Sequence, residues 1–261
     1  MVAVLHTIHV FMMNSYVMAL PFLNLGQIDV VEILILVFVL ALSLSFHEFA
    51  HAFAALRMGD DTAALAGRLT LNPLRHLDPV GSLVFLFARI GWAKPVPVNP
   101  SRFTKAKSIK RGIFWVSIAG PLSNILLGTI SWILFCALFT IIMATGLESP
   151  VVEVVIRLFL TLYQANMLLA VFNLLPVPPL DGFKVFGVAL PDRWYYSLMQ
   201  YEHLIGIGFL IIVLFLRGAL STLLGWILVP FNYAIQYPIT WLFQQLQSAL
   251  GLPVMPMFLQ L

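Results

Sequence analysis

The chain has 261 residues, of which 61% are hydrophobic and 10% charged, with a mean hydropathy of +0.98 and a formal net charge of +3. Soluble domains carry about 25% charged residues, so this balance excludes a water-soluble globule, a disordered chain and a nucleic-acid binder. One cysteine, Cys136, excludes a disulfide framework and a four-cysteine zinc module, and its apolar surroundings make it a small buried hydrophobe.

Residues 1–29 form an N-terminal hydrophobic segment without a charge before Asp29. His6, His9, Asn14, Ser15 and Pro21 interrupt it, which leaves both a spanning and an interfacial helix open. No basic start or small-residue cleavage site marks it as a signal peptide. A bilayer-spanning helix needs about 20 mostly apolar residues. Val30 to Leu56 qualifies, although Glu32, His47 and Glu48 lie inside it. Residues 83–92 are apolar but too short to span. Gly112 to Met143 qualifies without a charge, Val154 to Leu175 carries Arg157 near its start, and Leu204 to Val229 contains Arg217. Beyond Val229, four prolines divide an uncharged tail, 230–261, to which Gln236, Gln244, Gln245 and Gln247 add polar character, and which reads as an interfacial segment. The expected organisation is thus a leading segment 1–29, a core 30–229 and the tail 230–261.

Ten of the fourteen Lys and Arg residues fall between Arg57 and Arg111. The positive-inside rule puts that loop in the cytosol, and a multi-pass protein of the cell membrane follows. Val30 to Leu56 then ends at the cytosolic face, the Gly112 helix crosses outward, and the Val154 helix returns.

The first spanning segment contains His47-Glu48-Phe49-Ala50-His51, an H-E-x-x-H pattern. Residues four apart share one helical face, so both imidazoles can reach one cation. Glu48 projects beside them and can take a proton from an attacking water and pass it to the leaving amine. Three ionisable groups within five residues of a membrane helix mark a functional site. The bland reading is a polar patch that holds helices together. His47 precedes Arg57 by ten residues, which places it about 15 Å from the cytosolic end.

A catalytic zinc takes three protein ligands and leaves a position open. His76 and His203 lie in loops or at a helix end. Asp181 follows Pro176-Val177-Pro178-Pro179-Leu180, which cannot continue a helix. Broken backbone at membrane depth needs protein or a wet cavity around it. Spacing alone leaves Asp181 equally a third ligand or the cap of a following helix.

Together, His47 to His51, Ala119-Gly120-Pro121-Leu122-Ser123-Asn124 and the run from Asn173 to Gly182 resemble the site-2 protease family of intramembrane zinc metalloproteases. The Gly91 to Pro100 run is similar to its compact prokaryotic branch, which lacks PDZ and CBS modules. The resemblance covers roughly residues 30–190. It implies one zinc per chain on His47, His51 and Asp181, Glu48 as general base, and Asn173 in substrate binding or transition-state stabilisation. Pro178-Pro179-Leu180 departs mildly from the commonest family form, but the aspartate and Gly182 are retained.

Other polar positions keep two readings. Asn124 bonds a neighbouring helix or meets substrate; His76 is structural or belongs to the site. Arg217 must face protein, a cavity or an interface. The segment Trp92 to Pro100 is held non-helical by Pro95, Pro97 and Pro100 and either pairs with an unwound substrate or anchors the basic loop.

The expected fold is an all-α polytopic membrane protein. It is a bundle of about 4–6 transmembrane helices, with a broken helix at the site and short extended segments in the cytosolic loop. The expected function is zinc-dependent cleavage of membrane-spanning protein substrates within the lipid bilayer, near the cytosolic side. The alternative is a non-enzymatic metal-binding transporter or scaffold, disfavoured because a transport site needs no base between its ligands.

Overall fold

The computed structural model describes residues 30–81, 84 and 92–256. The leading segment 1–29, most of the apolar stretch 83–92 and residues 257–261 lie outside them. In chain order the helices are α1 (Val30–Met58), α2 (Thr62–Leu65), α3 (Ile109–Thr145), α4 (Pro150–Asn173), α5 (Asp181–Gly187), α6 (Asp192–Gln200), α7 (Glu202–Phe215) and α8 (Arg217–Ala249). Two short 3-10 turns, Pro73–Arg75 and Pro100–Arg102, punctuate the basic loop. No strand forms among the described residues, and the only pairing there is an isolated antiparallel bridge between Leu77 and Ala93. The chain is an all-α, multi-pass membrane protein.

Four helices are long and apolar enough to cross a membrane: α1, α3, α4 and Gly218–Ala249 within α8. The pair Asp192–Gln200 and Glu202–Val213, bent by 66°, could supply a fifth crossing. Three of these match the expected spans within a few residues. The fourth does not. The apolar run from Leu204 to Val229 is interrupted at Leu216, whose backbone (φ −111°, ψ 35°) leaves helical geometry. The helix that follows continues through Pro230 and Pro238 to Ala249. Hydropathy registers composition, which is continuous across Leu216, and is blind to a change of backbone direction. The two prolines each remove one helical hydrogen bond, a loss that a membrane helix tolerates when neighbours re-satisfy the freed groups.

The chain divides into two units. One comprises residues 1–39, 126–168 and 221–261. Trp132, Phe135, Ile156, Leu160 and Tyr163 are buried in it, with the Trp132 and Tyr163 rings 5.0 Å apart. On α3 the opposite stripe, Leu126, Ile130, Leu134 and Ile141, is exposed. An exposed apolar stripe at helical spacing is the surface that lipid covers. Cys136 is fully buried there, as expected, with Sγ 4.0 Å from the Met255 sulfur.

The second unit comprises residues 40–125 and 169–220. In it, α1 stops at Gly59, whose φ of 103° suits the left-handed C-terminal turn that glycine adopts without strain. Two small clusters pack around the end of α1: Ala52, Ala63 and Val96, and Ala55, Phe103 and Val116. α4 ends at Asn173, before the three prolines, and α5 begins at Asp181.

Candidate metal centre

Helical geometry puts His47 and His51 one turn apart on α1, with their ring centroids 4.5 Å apart. Both are buried. α3 crosses this face and meets each ring at its Nδ1. His51 Nδ1 donates to the Val116 carbonyl at 2.7 Å, and His47 Nδ1 lies 2.7 Å from Asn124 Oδ1. The Asn124 amide nitrogen donates to the Ser43 carbonyl at 3.3 Å, so the oxygen faces the ring and His47 Nδ1 is the donor. With both Nδ1 atoms protonated, both Nε2 atoms carry a lone pair.

Gly120 sits between Val116 and Asn124, in the same four-residue register. A Cβ there would lie 2.4 Å from His51 Nε2 and 2.6 Å from His47 Cε1. Mid-helix glycine costs about 1 kcal/mol relative to alanine. Its presence keeps open the volume into which both lone pairs point.

Asp181 enters from the proline-broken segment. The N-cap of α5 is Leu180, and Asp181 is already in the first turn, so the capping alternative fails. Asp181 is seated by Gly182, where a Cβ would lie 2.2 Å from the Leu174 carbonyl oxygen and no side chain fits. Asp181 Oδ2 is 3.1 Å from each histidine Nε2, and the two Nε2 atoms are 3.0 Å apart. Three acceptor atoms thus converge in a near-equilateral triangle. A proton can satisfy one edge; a single cation satisfies all three. Ligands about 2.0–2.1 Å from a tetrahedral zinc stand about 3.3 Å apart, close to what the triangle shows. These residues therefore fit zinc by donor chemistry and spacing. Among the described residues, they form the one group of His, Cys, Asp or Glu able to hold a metal ion.

Glu48 is absent from that triangle. It is buried, and its Oε2 accepts a hydrogen bond from the Val96 backbone N–H at 2.8 Å. Asn173 ends α4, and its amide nitrogen donates to the Leu169 carbonyl at 2.9 Å. No hydrogen bond joins it to the histidines or Asp181 among the described residues. His76 is fully buried and away from the histidine pair: Nε2 meets the Thr70 carbonyl at 2.7 Å, and its own carbonyl accepts from the Lys94 N–H. His203 is exposed. Asn124 does bond a neighbouring helix, and in doing so orients His47. Sequence reasoning named Gly120 only as part of a motif and missed its role beside the imidazoles, together with the Val116 carbonyl and the Val96 N–H. The first was legible as a glycine four residues before Asn124, matching the spacing of the histidines. The other two are backbone groups and leave no trace in side-chain identity.

The model of the Peptidase family M50 matches residues 35–216. "Putative zinc metalloprotease YwhC" of Bacillus subtilis is 38% identical over 197 residues, covering 73% of this chain and 84% of the relative. Two proteins named "Putative zinc metalloprotease Rip2" are each 32% identical. The one from Mycobacterium tuberculosis aligns over 70% of this chain and 66% of its own length, and the one from Mycolicibacterium smegmatis over 67% and 63%. No solved structure matches the chain. Family match and ligand geometry agree: the chain belongs to peptidase family M50 and is a zinc metalloendopeptidase of the site-2 protease type.

Proposed function

We propose that this protease cuts membrane-spanning segments of other proteins inside the bilayer, near its cytosolic side. The observation that carries the reading is the placement of His47 and His51 within α1, a helix long and apolar enough to cross a membrane. The ten basic residues from Arg57 to Arg111 support a cytosolic loop at the end of α1, which puts the site about 15 Å inside that face.

In this reading His47, His51 and Asp181 hold the zinc, which supplies the Lewis acidity that activates water and polarises the scissile carbonyl. Glu48 accepts a proton as the water oxygen bonds to the carbonyl carbon. It returns that proton to the amide nitrogen as the C–N bond breaks. The Val96 N–H holds one carboxylate oxygen of Glu48, and the other serves the water. The α3 carbonyls keep both imidazoles in the tautomer that ligates. Asn173, eight residues before Asp181 on the same broken segment, contacts the substrate or stabilises the transition state. A spanning substrate hides its carbonyls in helical hydrogen bonds, so it must unwind before it is cut. A metal transporter needs ligands but no base beside them, and Glu48 speaks against that reading.

The test is cleavage of a single-span substrate in proteoliposomes by wild type and Glu48→Gln, with zinc measured on both. General-base assistance is worth about 10²–10⁴-fold, so the variant keeps its zinc and loses activity by that factor. Undiminished cleavage by zinc-replete Glu48→Gln removes Glu48 from the mechanism. Labelling of a cysteine at Ser101 from outside intact cells overturns the orientation.

A further inference from the structure

Glu48 must present one oxygen to water, and its carboxylate sits on a flexible side chain. Its hydrogen-bonded partner is the backbone of the segment Lys94-Pro95-Val96-Pro97-Val98-Asn99, which is neither helix nor strand. Such a segment holds a base still only if it is itself held.

It is pinned at four points. The Lys94 N–H donates to the His76 carbonyl at 2.8 Å. The Arg68 guanidinium donates to the Lys94 carbonyl at 2.6 Å and reaches the Pro95 carbonyl at 3.4 Å. The Val96 side chain packs against Ala52 and Ala63, one residue beyond His51 and within α2. The Asn99 N–H donates to Asp60 Oδ2 at 2.7 Å. Asp60 and Arg68 both lie within ten residues of the end of α1, on either side of α2, so the clamps on Glu48's partner follow directly in the chain from the helix that carries Glu48.

Arg68 is an expensive clamp. It is 8% exposed, no carboxylate pairs with it among the described residues, and its Nε is buried without a partner. A buried cation spent on two carbonyls needs a return beyond packing. The competing role for this segment, as a strand that pairs with unwound substrate, is poorly served by what remains. Pro95 and Pro97 have no N–H, the Val96 N–H is taken by Glu48, and the Lys94 and Pro95 carbonyls face Arg68.

We propose that Arg68 is a positioning residue for catalysis: it locks the Lys94–Val98 strap so that the Val96 N–H fixes the Glu48 carboxylate beside the attacking water. This rests on Glu48 being the general base. Arg68 never touches substrate or zinc.

The experiment compares Arg68→Met, Arg68→Lys, Val96→Pro and Val96→Ala with wild type. The assay follows a fluorogenic peptide with one apolar spanning segment in proteoliposomes, with zinc content and helicity measured on each sample. Arg68→Met and Val96→Pro remove the clamp and the N–H, and kcat falls about 10–100-fold with KM within about twofold and zinc retained, the scale of a misplaced catalytic group. Arg68→Lys keeps a donor and recovers most of kcat, and Val96→Ala keeps the N–H and stays near wild type. A rise in KM at constant kcat makes the segment a substrate strand and overturns the proposal. So does loss of zinc or helicity in Arg68→Met, or a lysine no better than methionine. Should Val96→Pro not fold, the Arg68 pair decides alone. Failure of the underlying reading looks different: Glu48→Gln would then cleave like wild type whatever Arg68 does.

Discussion

Each of the two units buries a polar cluster among apolar helices, and the clusters solve the problem of buried polarity in opposite ways. In the unit built on 126–168 and 221–261, the cluster around Gln247 is made of neutral groups joined by hydrogen bonds. Trp132 Nε1 donates to Thr240 Oγ1 at 3.2 Å, Gln247 Nε2 to Thr140 Oγ1 at 2.8 Å, and Thr140 to the Cys136 carbonyl at 2.9 Å. Gln247 Oε1 accepts the Met255 N–H at 2.7 Å, and Gln244 donates to the Met255 carbonyl at 2.8 Å. The network closes on itself and tethers the end of the chain. In the unit built on 40–125 and 169–220, the outer atoms of the cluster are equally well paired, but three lone pairs meet at its centre. A closed neutral network stabilises a fold; an open set of acceptors recruits a cation. The difference separates scaffold from chemistry more sharply than burial does, since both clusters are buried.

The largest effect should come from emptying the open cluster. The His47→Ala, His51→Ala double variant binds no zinc and has no activity, while Asp181→Ala keeps weakened binding because water can replace one ligand. Metal analysis of the purified proteins reads both. Full occupancy in the double variant would move the metal elsewhere.

Next is Gly120→Ala. Alanine favours a helix, so by propensity alone the variant is the more stable one. Its Cβ would enter the ligand volume, and zinc affinity should fall by about 10–100-fold, the scale at which outer groups control metal binding. Competition with a chromogenic chelator measures it. An unchanged affinity would show that α3 yields without disturbing the imidazoles.

Breaking the closed cluster should be milder and of another kind. Gln247→Leu leaves the Met255 N–H and the Thr140 hydroxyl short of a partner, at about 1–3 kcal/mol. That corresponds to a melting temperature lower by about 2–10 °C for a chain of this size. Zinc stoichiometry should not change. A loss of zinc in Gln247→Leu would erase the distinction between the clusters.

The smallest effect sharpens the comparison within one residue type. Asp60, unlike Asp181, faces donors: the Thr62 N–H, the Thr62 hydroxyl and the Asn99 N–H. Burial alone would raise its pKa, but the Thr62 and Asn99 hydrogen bonds, with Arg102 nearby, hold it below the ordinary carboxylate value. A depressed folded pKa contributes stability that is complete above the unfolded value of about 3.9 and is lost as pH falls through the lower folded one. Asp60→Asn should therefore lower the melting temperature above about pH 5, where wild type has the full contribution, and converge with wild type at low pH, which flattens the acid limb. An equal drop at all pH values would mean that the contribution is packing rather than charge.

The membrane class, three of the four spans and the histidine pair of the metal set were legible in the sequence, for local reasons. Hydropathy adds up over a helix, and the spacing of four in His47 and His51 is a property of helical geometry wherever the helix sits. Asp181 is 130 residues from His51 in the chain, and spacing alone left it between ligand and cap. Gly182 packs against the Leu174 carbonyl within the same short run, but the approach of Asp181 to His47 and His51 is a tertiary contact that no local pattern encodes. The course of α8 through two prolines was equally out of reach, because a proline's effect depends on whether neighbours re-satisfy the freed backbone groups. The tautomers of both histidines depend on a carbonyl of α3 and an amide fixed by Ser43, and Glu48 depends on a backbone N–H 48 residues away. Local composition and period determine which residues can do chemistry. Long-range backbone contacts, which side-chain identity does not record, decide which atoms of those residues face one another.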